Sequence, residues 1–400
     1  MAMSFEPGAR AEGNTIPLCV PEIQGNEWKY IKACIDSGWV SSVGSFVNRF
    51  EQEFSAYLGT TDAVSTVNCT AALHVALLVA GIQADDEVLI PALTFIAPAN
   101  AIRYANAWPV FIDVEPKFCQ LDPSKVKLFL EQECDLRDGR LFNRQTKRRV
   151  KAIVPVHLLG HAVDMDPILE MARKYNLRVI EDAAESLGAK YKDRSVGTMG
   201  DIACFSFNGN KIITTGGGGM IVTSNKEFSQ RARYLTTQAK DDAIEYIHND
   251  MGYNYRLTNF QAALGVAQLE KLDEYISTKR RIATIYNERL SEVPGITPLN
   301  EAESVSSIFW LNTIVVDKNE FGMNSRDLLN TMLAENIQTR PLWHPIYSLP
   351  QYQNCTAYHI DTADRLYQKA LCLPSSVGLT DKNQQRVIDV IQDSYCHETR

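Results

Sequence analysis

The chain has 400 residues, 45% of them apolar, and a formal net charge of -8. No apolar run approaches the roughly 20 residues that a membrane-spanning helix needs, and the acidic balance argues against the basic footprint of a nucleic-acid binder. Nine scattered cysteines, with no C-x-x-C and no histidine at metal-ligand spacing, point to reduced thiols rather than a disulfide framework or metal site.

In chain order, the opening stretch MAMSFEPGARAEGN carries no hydrophobic signal core, which predicts a cytoplasmic protein. The length predicts a large and a small domain. We place an N-terminal arm at 1–24, a large domain at 25–255 and a small domain at 256–400. Short apolar, β-branched runs recur at Glu87–Ile90, Pro109–Ile112, Ala152–Val156, Leu177–Ile180 and Met220–Thr223. Helix-like segments lie among them, at Ala71–Ala80 and Pro167–Tyr175. Continuously apolar strands alternating with helices predict an α/β domain with a mainly parallel sheet covered on both faces. The basic cluster Arg144, Lys147, Arg148, Arg149 and Lys151 reads as a solvated loop. Thr258 and Gln261 then form a capping box that predicts a helix running to about Leu290, ended by Pro294-Gly295. Phe309–Val316 and a helix near Ser325–Glu335 predict a smaller α+β domain. No internal repeat or low-complexity segment is present.

Ligands of open parallel sheets bind beyond the carboxyl ends of the strands, and three motifs fall at such ends. Asn68-Cys69-Thr70-Ala71-Ala72 separates AVSTV from an apolar helix, so Thr70 is either a helix cap or part of an anion site with the helix N–H groups. Asp182 follows the strand LRVI, where a buried carboxylate needs a positive partner or several donors; the alternative is a helix cap. In SFNGNKIITTGGGGM, one lysine, Lys211, stands between asparagines and an apolar run, with Ser206 five residues before it. Four successive glycines after it cost backbone entropy, which predicts a close approach of the chain there. A phosphate-bearing aromatic aldehyde with a protonatable ring nitrogen uses all three motifs, and pyridoxal 5'-phosphate is that cofactor.

The motifs NCTAALH, PALTFIAPANA, PVHLLGH, EDAAESLGA, FSFNGNKIITTGGGGM and GYNYRLTN, in that order, resemble the sugar-nucleotide aminotransferases of the DegT/DnrJ/EryC1/StrS type. The likeness runs from FVNRFEQEF at Phe46–Phe54 to LCLPS at Leu371–Ser375. It implies the aspartate aminotransferase-like fold, fold type I of the pyridoxal phosphate enzymes. Position by position, it makes Lys211 the Schiff-base lysine and Asp182 the partner of the pyridine nitrogen. Cys69, Thr70 and Ser206 match phosphate-binding positions, and Phe95 the aromatic that stacks on the ring. Asn254 matches an asparagine that reaches the phosphate from the neighbouring subunit, which implies a homodimer with shared active sites. Two departures stand out. Many relatives carry Gly-Thr at Cys69-Thr70, and many carry Gln at Glu185, beside the ring oxygen, so Glu185 is either protonated or turned elsewhere.

The pieces EDAAESLG, FNGNKIITT, TTQAK, GYNYRLTN and QTRPLWHP resemble most the enzymes that aminate the 4-keto carbon of a UDP-linked 2-acetamido-2,6-dideoxy sugar, in bacillosamine and legionaminic acid pathways. The resemblance implies L-glutamate as donor and 2-oxoglutarate as product, with a 3-keto or GDP-linked sugar as the alternative acceptor. Arg256 and Arg340 are candidates for the sugar diphosphate, and Trp343 and His344 for the substrate mouth. His157 and His161 read as structural. A sugar dehydratase of the same family needs histidine at Lys211. A dinucleotide-binding oxidoreductase needs a G-x-G-x-x-G turn, and a P-loop needs Gly-Lys-Ser/Thr after GGGG; neither is present. A non-enzymatic sensor of sugar nucleotides would retain Lys211 and Asp182, and only a test with glutamate separates it from the enzyme.

Overall fold

A computed structural model describes residues 15–242 and 244–395. Seven strands of the large sheet carry the argument: β1 (Asp62–Thr66), β2 (Glu87–Pro91), β3 (Trp108–Ile112), β4 (Arg149–Ile153), β5 (Arg178–Asp182), β6 (Ile202–Ser206) and β7 (Gly219–Thr223). Their order is β1-β7-β6-β5-β4-β2-β3, with Ala357–Tyr358 added beside β3. The run from β6 to β3 is parallel throughout, as the apolar strands predict. β7 is the exception, antiparallel to both β1 and β6. Since β7 reverses twice between them, β1 and β6 point the same way. The carboxyl ends of β1, β2, β4, β5 and β6 therefore share one edge of the sheet, and β7 begins there.

All five residues of β2 and of β7 are buried, because helices cover both faces. One of these helices, α1 (Cys69–Val79), is apolar almost all round and buried along most of its length. Its cap is not Thr70 but Asn68, whose side chain accepts from the N–H of Ala71 at 2.8 Å. Asparagine in extended backbone is the stronger capping residue, and it stands two positions earlier. Thr70 is thereby released into the first helical turn.

The Thr258 capping box forms as predicted and opens α2 (Asn259–Leu269). The helix does not continue to Leu290; it turns at Glu270-Lys271 and restarts as α3 (Leu272–Leu290). The Glu270 carboxylate is taken by Asn26, Tyr30 and Arg49, while Leu272 enters the core, and the turn accommodates both. The predicted strand at Phe309–Val316 is shorter, Asn312–Val316, because Phe309 adopts a left-handed φ of 46°. It belongs to a four-stranded sheet whose apolar face packs on α3 and on Asp381–Asp393 around Tyr286, Ile314 and Ile388. The basic cluster is only in part the solvated loop expected: Arg144 and Lys147 are exposed, Arg144 pairing with Asp135, whereas Arg148 lies over the Trp108 ring and Arg149 and Lys151 are half-buried on β4.

The GGGG run has a specific cause. Gly216 has a φ of +76°, which disfavours a side chain. At Gly219 a Cβ would come within 2.6 Å of the Asn68 carbonyl carbon and 2.7 Å of the Cys69 nitrogen. The chain that returns from Lys211 thus passes against the backbone that opens α1, and backbone on both sides leaves nothing to yield. Gly219→Ala is expected to destabilise the protein by roughly 2–3 kcal/mol, at the upper end of overpacking costs. A denaturant titration checks this, and a midpoint equal to the parent's refutes it.

Candidate active site

The shared strand edge opens into a cavity of about 250 Å³ lined by Cys69, Thr70, Phe95, Asp182, Glu185, Ser206, Lys211, Arg340 and Trp343, among others. Nine of the twelve residues singled out from the sequence thus meet in one place. The fold explains each position. Cys69 and Thr70 are the first two residues of α1, whose N–H groups have no carbonyl of their own turn to meet. Asp182 ends β5 and Ser206 ends β6, one parallel strand over. Phe95 lies just beyond β2.

Strand alternation divides the work of the two adjacent acids at the end of β5. Glu181 turns away and accepts the N–H groups of Gly197, Met199 and Gly200 together with His157 Nε2. Asp182 faces the cavity, and among the described residues its carboxylate accepts one hydrogen bond, from the Ala184 N–H at 3.1 Å. Burial pushes the Asp182 carboxyl up to about 6, with the Ala184 N–H and the Lys211 amine pulling against it and Glu185 adding to it. Burial likewise raises Glu185, offset in part by Lys211. Glu185 does not turn elsewhere: one oxygen accepts the Leu159 N–H at 2.8 Å and the other lies 3.4 Å from Lys211 Nζ. Burial holds the Cys69 thiol protonated, well above its usual range.

The structural reading of both histidines agrees with their contacts. His157 Nδ1 accepts from the Val163 N–H, so Nε2 carries the proton given to Glu181. His161 is held between the Ala162 carbonyl and the Ala302 N–H, and burial lowers it to about 4.

Three candidates lie elsewhere. Arg256 borders a separate surface groove with Glu51 and Arg233, and its buried Nε has no hydrogen-bond partner among the described residues. His344 packs on Tyr367 and meets Ser348 outside the cavity. Asn254 is exposed, its backbone bridged to Thr237, and does not reach the cavity of its own chain. The sequence reading missed Trp310, whose ring centre is 3.8 Å from Lys211 Nζ. Its only signal was an aromatic pair at the start of a run assigned to a strand.

The sequence signature of the DegT/DnrJ/EryC1/StrS aminotransferases matches residues 21–392. The chain belongs to that family. It is 40% identical to the GDP-perosamine synthase of Caulobacter vibrioides over 376 residues, 93% of this chain and 96% of that one. To the GDP-perosamine synthase of Vibrio cholerae it is 36% identical, over 95% of this chain and 99% of the relative. Among solved structures, DesV of S. venezuelae in complex with a ketimine intermediate superposes with a TM-score of 0.86 at 28% identity, covering 96% of this chain and 100% of that one.

Membership makes this a pyridoxal phosphate-dependent aminotransferase on an α/β fold of the aspartate aminotransferase type. The residues present fit the cofactor. A buried carboxylate faces the cavity with spare acceptor capacity for a ring N–H, helix N–H groups and hydroxyls stand ready for a phosphate, and an amine lies between them. Among the described residues no helix is long and apolar enough to cross a membrane, and no cluster of histidines, cysteines and acids has metal-site geometry.

Proposed function

We propose that this aminotransferase moves the amino group of L-glutamate to the C4 keto carbon of a nucleotide-linked 4-keto-6-deoxy sugar, releasing 2-oxoglutarate and the 4-amino sugar nucleotide. The observation that carries the reading is Lys211 Nζ, Asp182 and the first turn of α1 on the walls of one cavity. Bound pyridoxal phosphate supplies a carbon that carries the nitrogen and a protonated ring that withdraws electrons from it. Asp182 holds the proton on that ring nitrogen. Thr70, Ser206 and the N–H groups of α1 hold the phosphate, with Cys69 beside them. Phe95 covers one ring face. Lys211 Nζ, once displaced, takes and returns the proton at the carbon bearing the nitrogen. Arg340, exposed on the rim, is suited to a diphosphate and Trp343 to the sugar.

The exposed position of Asn254 suits a residue that serves the neighbouring subunit of a homodimer. For the nucleotide there are two readings. The motif resemblance favours a UDP-linked 2-acetamido sugar, whereas the names of relatives at 36% and 40% identity favour a GDP-linked one.

A spectral titration tests both. The protein is converted to its aminated form with L-glutamate, then offered UDP- and GDP-linked 4-keto-6-deoxy sugars separately, and return of the visible band is recorded. Recovery with one sugar nucleotide identifies the acceptor. Bleaching by glutamate with no recovery leaves the donor half intact and removes the acceptor. No bleaching at all favours a sensor.

Against the expectation of a protonated side chain, we take Glu185 as ionised, since its oxygen 3.4 Å from Nζ has an amine to pair with, and it then holds positive charge there. In Glu185→Gln the pH midpoint of the bound cofactor's visible band is expected to fall by about one pH unit. An unmoved midpoint would mean that Glu185 is neutral beside the amine.

A further inference from the structure

Among the described residues, Trp310 is the one large aromatic face laid against the Lys211 amine, and it is held at both ends. Its indole Nε1–H donates to the carbonyl of Asn210, the residue before Lys211, at 2.8 Å. Its own carbonyl accepts from Lys279 Nζ at 2.8 Å. Lys279 projects from α3 and is fully buried, and its other recorded contact is the Ser375 carbonyl. Burial lowers the pKa of its ammonium, which pairs with no carboxylate among the described residues. A cation placed this expensively between two carbonyls fixes the backbone at Trp310 to the start of the chain segment after Leu373. The indole is 2% exposed and stacks on Trp343 with ring centres 6.3 Å apart. Its orientation is therefore fixed by the packing on one side and by the Lys211 segment itself on the other.

We propose that the Trp310 ring is the seat of the Lys211 ammonium during the half of the cycle in which that amine is not bonded to the cofactor. This rests on the reading of Lys211 as the cofactor-binding lysine. With Nζ 3.8 Å from the ring centre and 3.4 Å from Glu185, the charge is shared between an aromatic face and a carboxylate. A ring face attracts a cation without fixing its direction, as a second carboxylate would. The amine can then leave the seat to exchange a proton and return. When the lysine is bonded to the cofactor, Nζ is engaged elsewhere and the seat contributes little. Trp310 thus favours the aminated form of the enzyme over the lysine-bonded form, which shifts an equilibrium as well as a rate.

The experiment measures that equilibrium. Mixtures of L-glutamate and 2-oxoglutarate are titrated against the holoenzyme, and the ratio giving half-aminated cofactor is read from the visible band. In Trp310→Leu this ratio is expected to rise about three- to tenfold, and in Trp310→Phe, which keeps a weaker ring, by less. A residue that only supports the fold would slow the approach to equilibrium and leave the ratio alone; an unmoved ratio in both variants overturns the proposal. A second readout needs no variant at Trp310 to fold. In the chain freed of cofactor and labelled with 13C-lysine, the ε-methylene protons of Lys211 are expected upfield of the other lysines, shifted by the indole ring current. They are assigned by their loss in Lys211→Arg. A Lys211 resonance among the unshifted lysines overturns the seat. Should Lys211→Arg still aminate its cofactor from glutamate, the underlying reading of Lys211 falls, an outcome distinct from an unmoved ratio.

Discussion

Replacement of Lys211 by alanine is expected to lower amino transfer to any keto-sugar acceptor by about a thousandfold or more, while leaving the protein folded. The first part follows from what the amine does. A positioned acid-base group contributes roughly 10²–10⁴ in rate, and on the proposed reading the same nitrogen also forms the covalent link. Cys69 is buried and held neutral, Asp182 is reserved on the proposed reading for the ring nitrogen, and Glu185, with one oxygen on the Leu159 N–H, has no amine to form the link. The second part follows from the side chain's few ties. It is 13% exposed, and its recorded contacts are Glu185 and the Trp310 ring. The turn that positions it is made by backbone, with the Lys211 N–H on the Asn208 carbonyl at 3.0 Å. Single-turnover measurement of both half-reactions, with circular dichroism as the control on folding, checks the pair of expectations. Turnover within about tenfold of the parent would end the assignment of Lys211.

Much of the site was legible in the sequence because it is built at strand ends. A parallel sheet places the carboxyl ends of its strands on one edge, so residues that follow apolar runs are brought together whatever their separation in sequence. Asp182 follows such a run; the run before Ser206, within Ile202–Ser206, is not among the strands read from the sequence, and Phe95 is picked out by the family resemblance. The sequence also signalled that the GGGG run permits a close approach, and Gly219 bears that out against the Asn68-Cys69 backbone. What it could not give was the surface approached, since that depends on β7 lying between β1 and β6, a register no local pattern encodes.

What the sequence did not place has a common origin. Trp310, Arg256 and His344 belong to segments whose position relative to the large sheet is set by tertiary packing. Trp310 reaches Lys211 only because Phe309 turns left-handed and Lys279 anchors the carbonyl behind it. Arg256 belongs to the same motif as Asn254, yet its backbone bridges to Thr66 and its side chain lines a separate groove with Asp62 and Ala63 of β1. His344 lies one residue after Trp343, and that one step turns it to Tyr367. The helix expected to run unbroken from Thr258 to Leu290 failed for another reason. Periodicity registers where apolar residues recur, and the break at Glu270 is made by polar partners more than 200 residues away in sequence.

Asp182→Asn is expected to trade activity for stability, with opposite signs in the two measurements. In the cofactor-free chain the carboxyl is buried, and its pKa rises from the ordinary 3.8 to about 6. Below pH 4 the folded and unfolded chains both hold this proton, so the group contributes no pH dependence. Between about pH 4 and 6 the folded chain keeps a proton that the unfolded chain releases, so stability falls as pH rises. Above pH 6 both forms are ionised and the cost is constant. It is at most roughly 3 kcal/mol, since each tenfold change in an ionisation constant is worth about 1.4 kcal/mol. Asparagine retains an oxygen for the Ala184 N–H and carries no charge, so the variant escapes that cost. Its denaturation midpoint is expected to match the parent's near pH 4 and exceed it at pH 8. The charge that destabilises the empty chain is the one proposed to hold the ring nitrogen protonated, and removing a buried, preorganised electrostatic partner costs a hundredfold or more in turnover. Parallel urea titrations at pH 4 and pH 8, with turnover measured on the reconstituted enzyme, separate the two effects. Equal stability at both pH values would mean that Asp182 is not strained by burial. A variant that is more stable and still active within about tenfold would mean that its charge is not the one the chemistry uses.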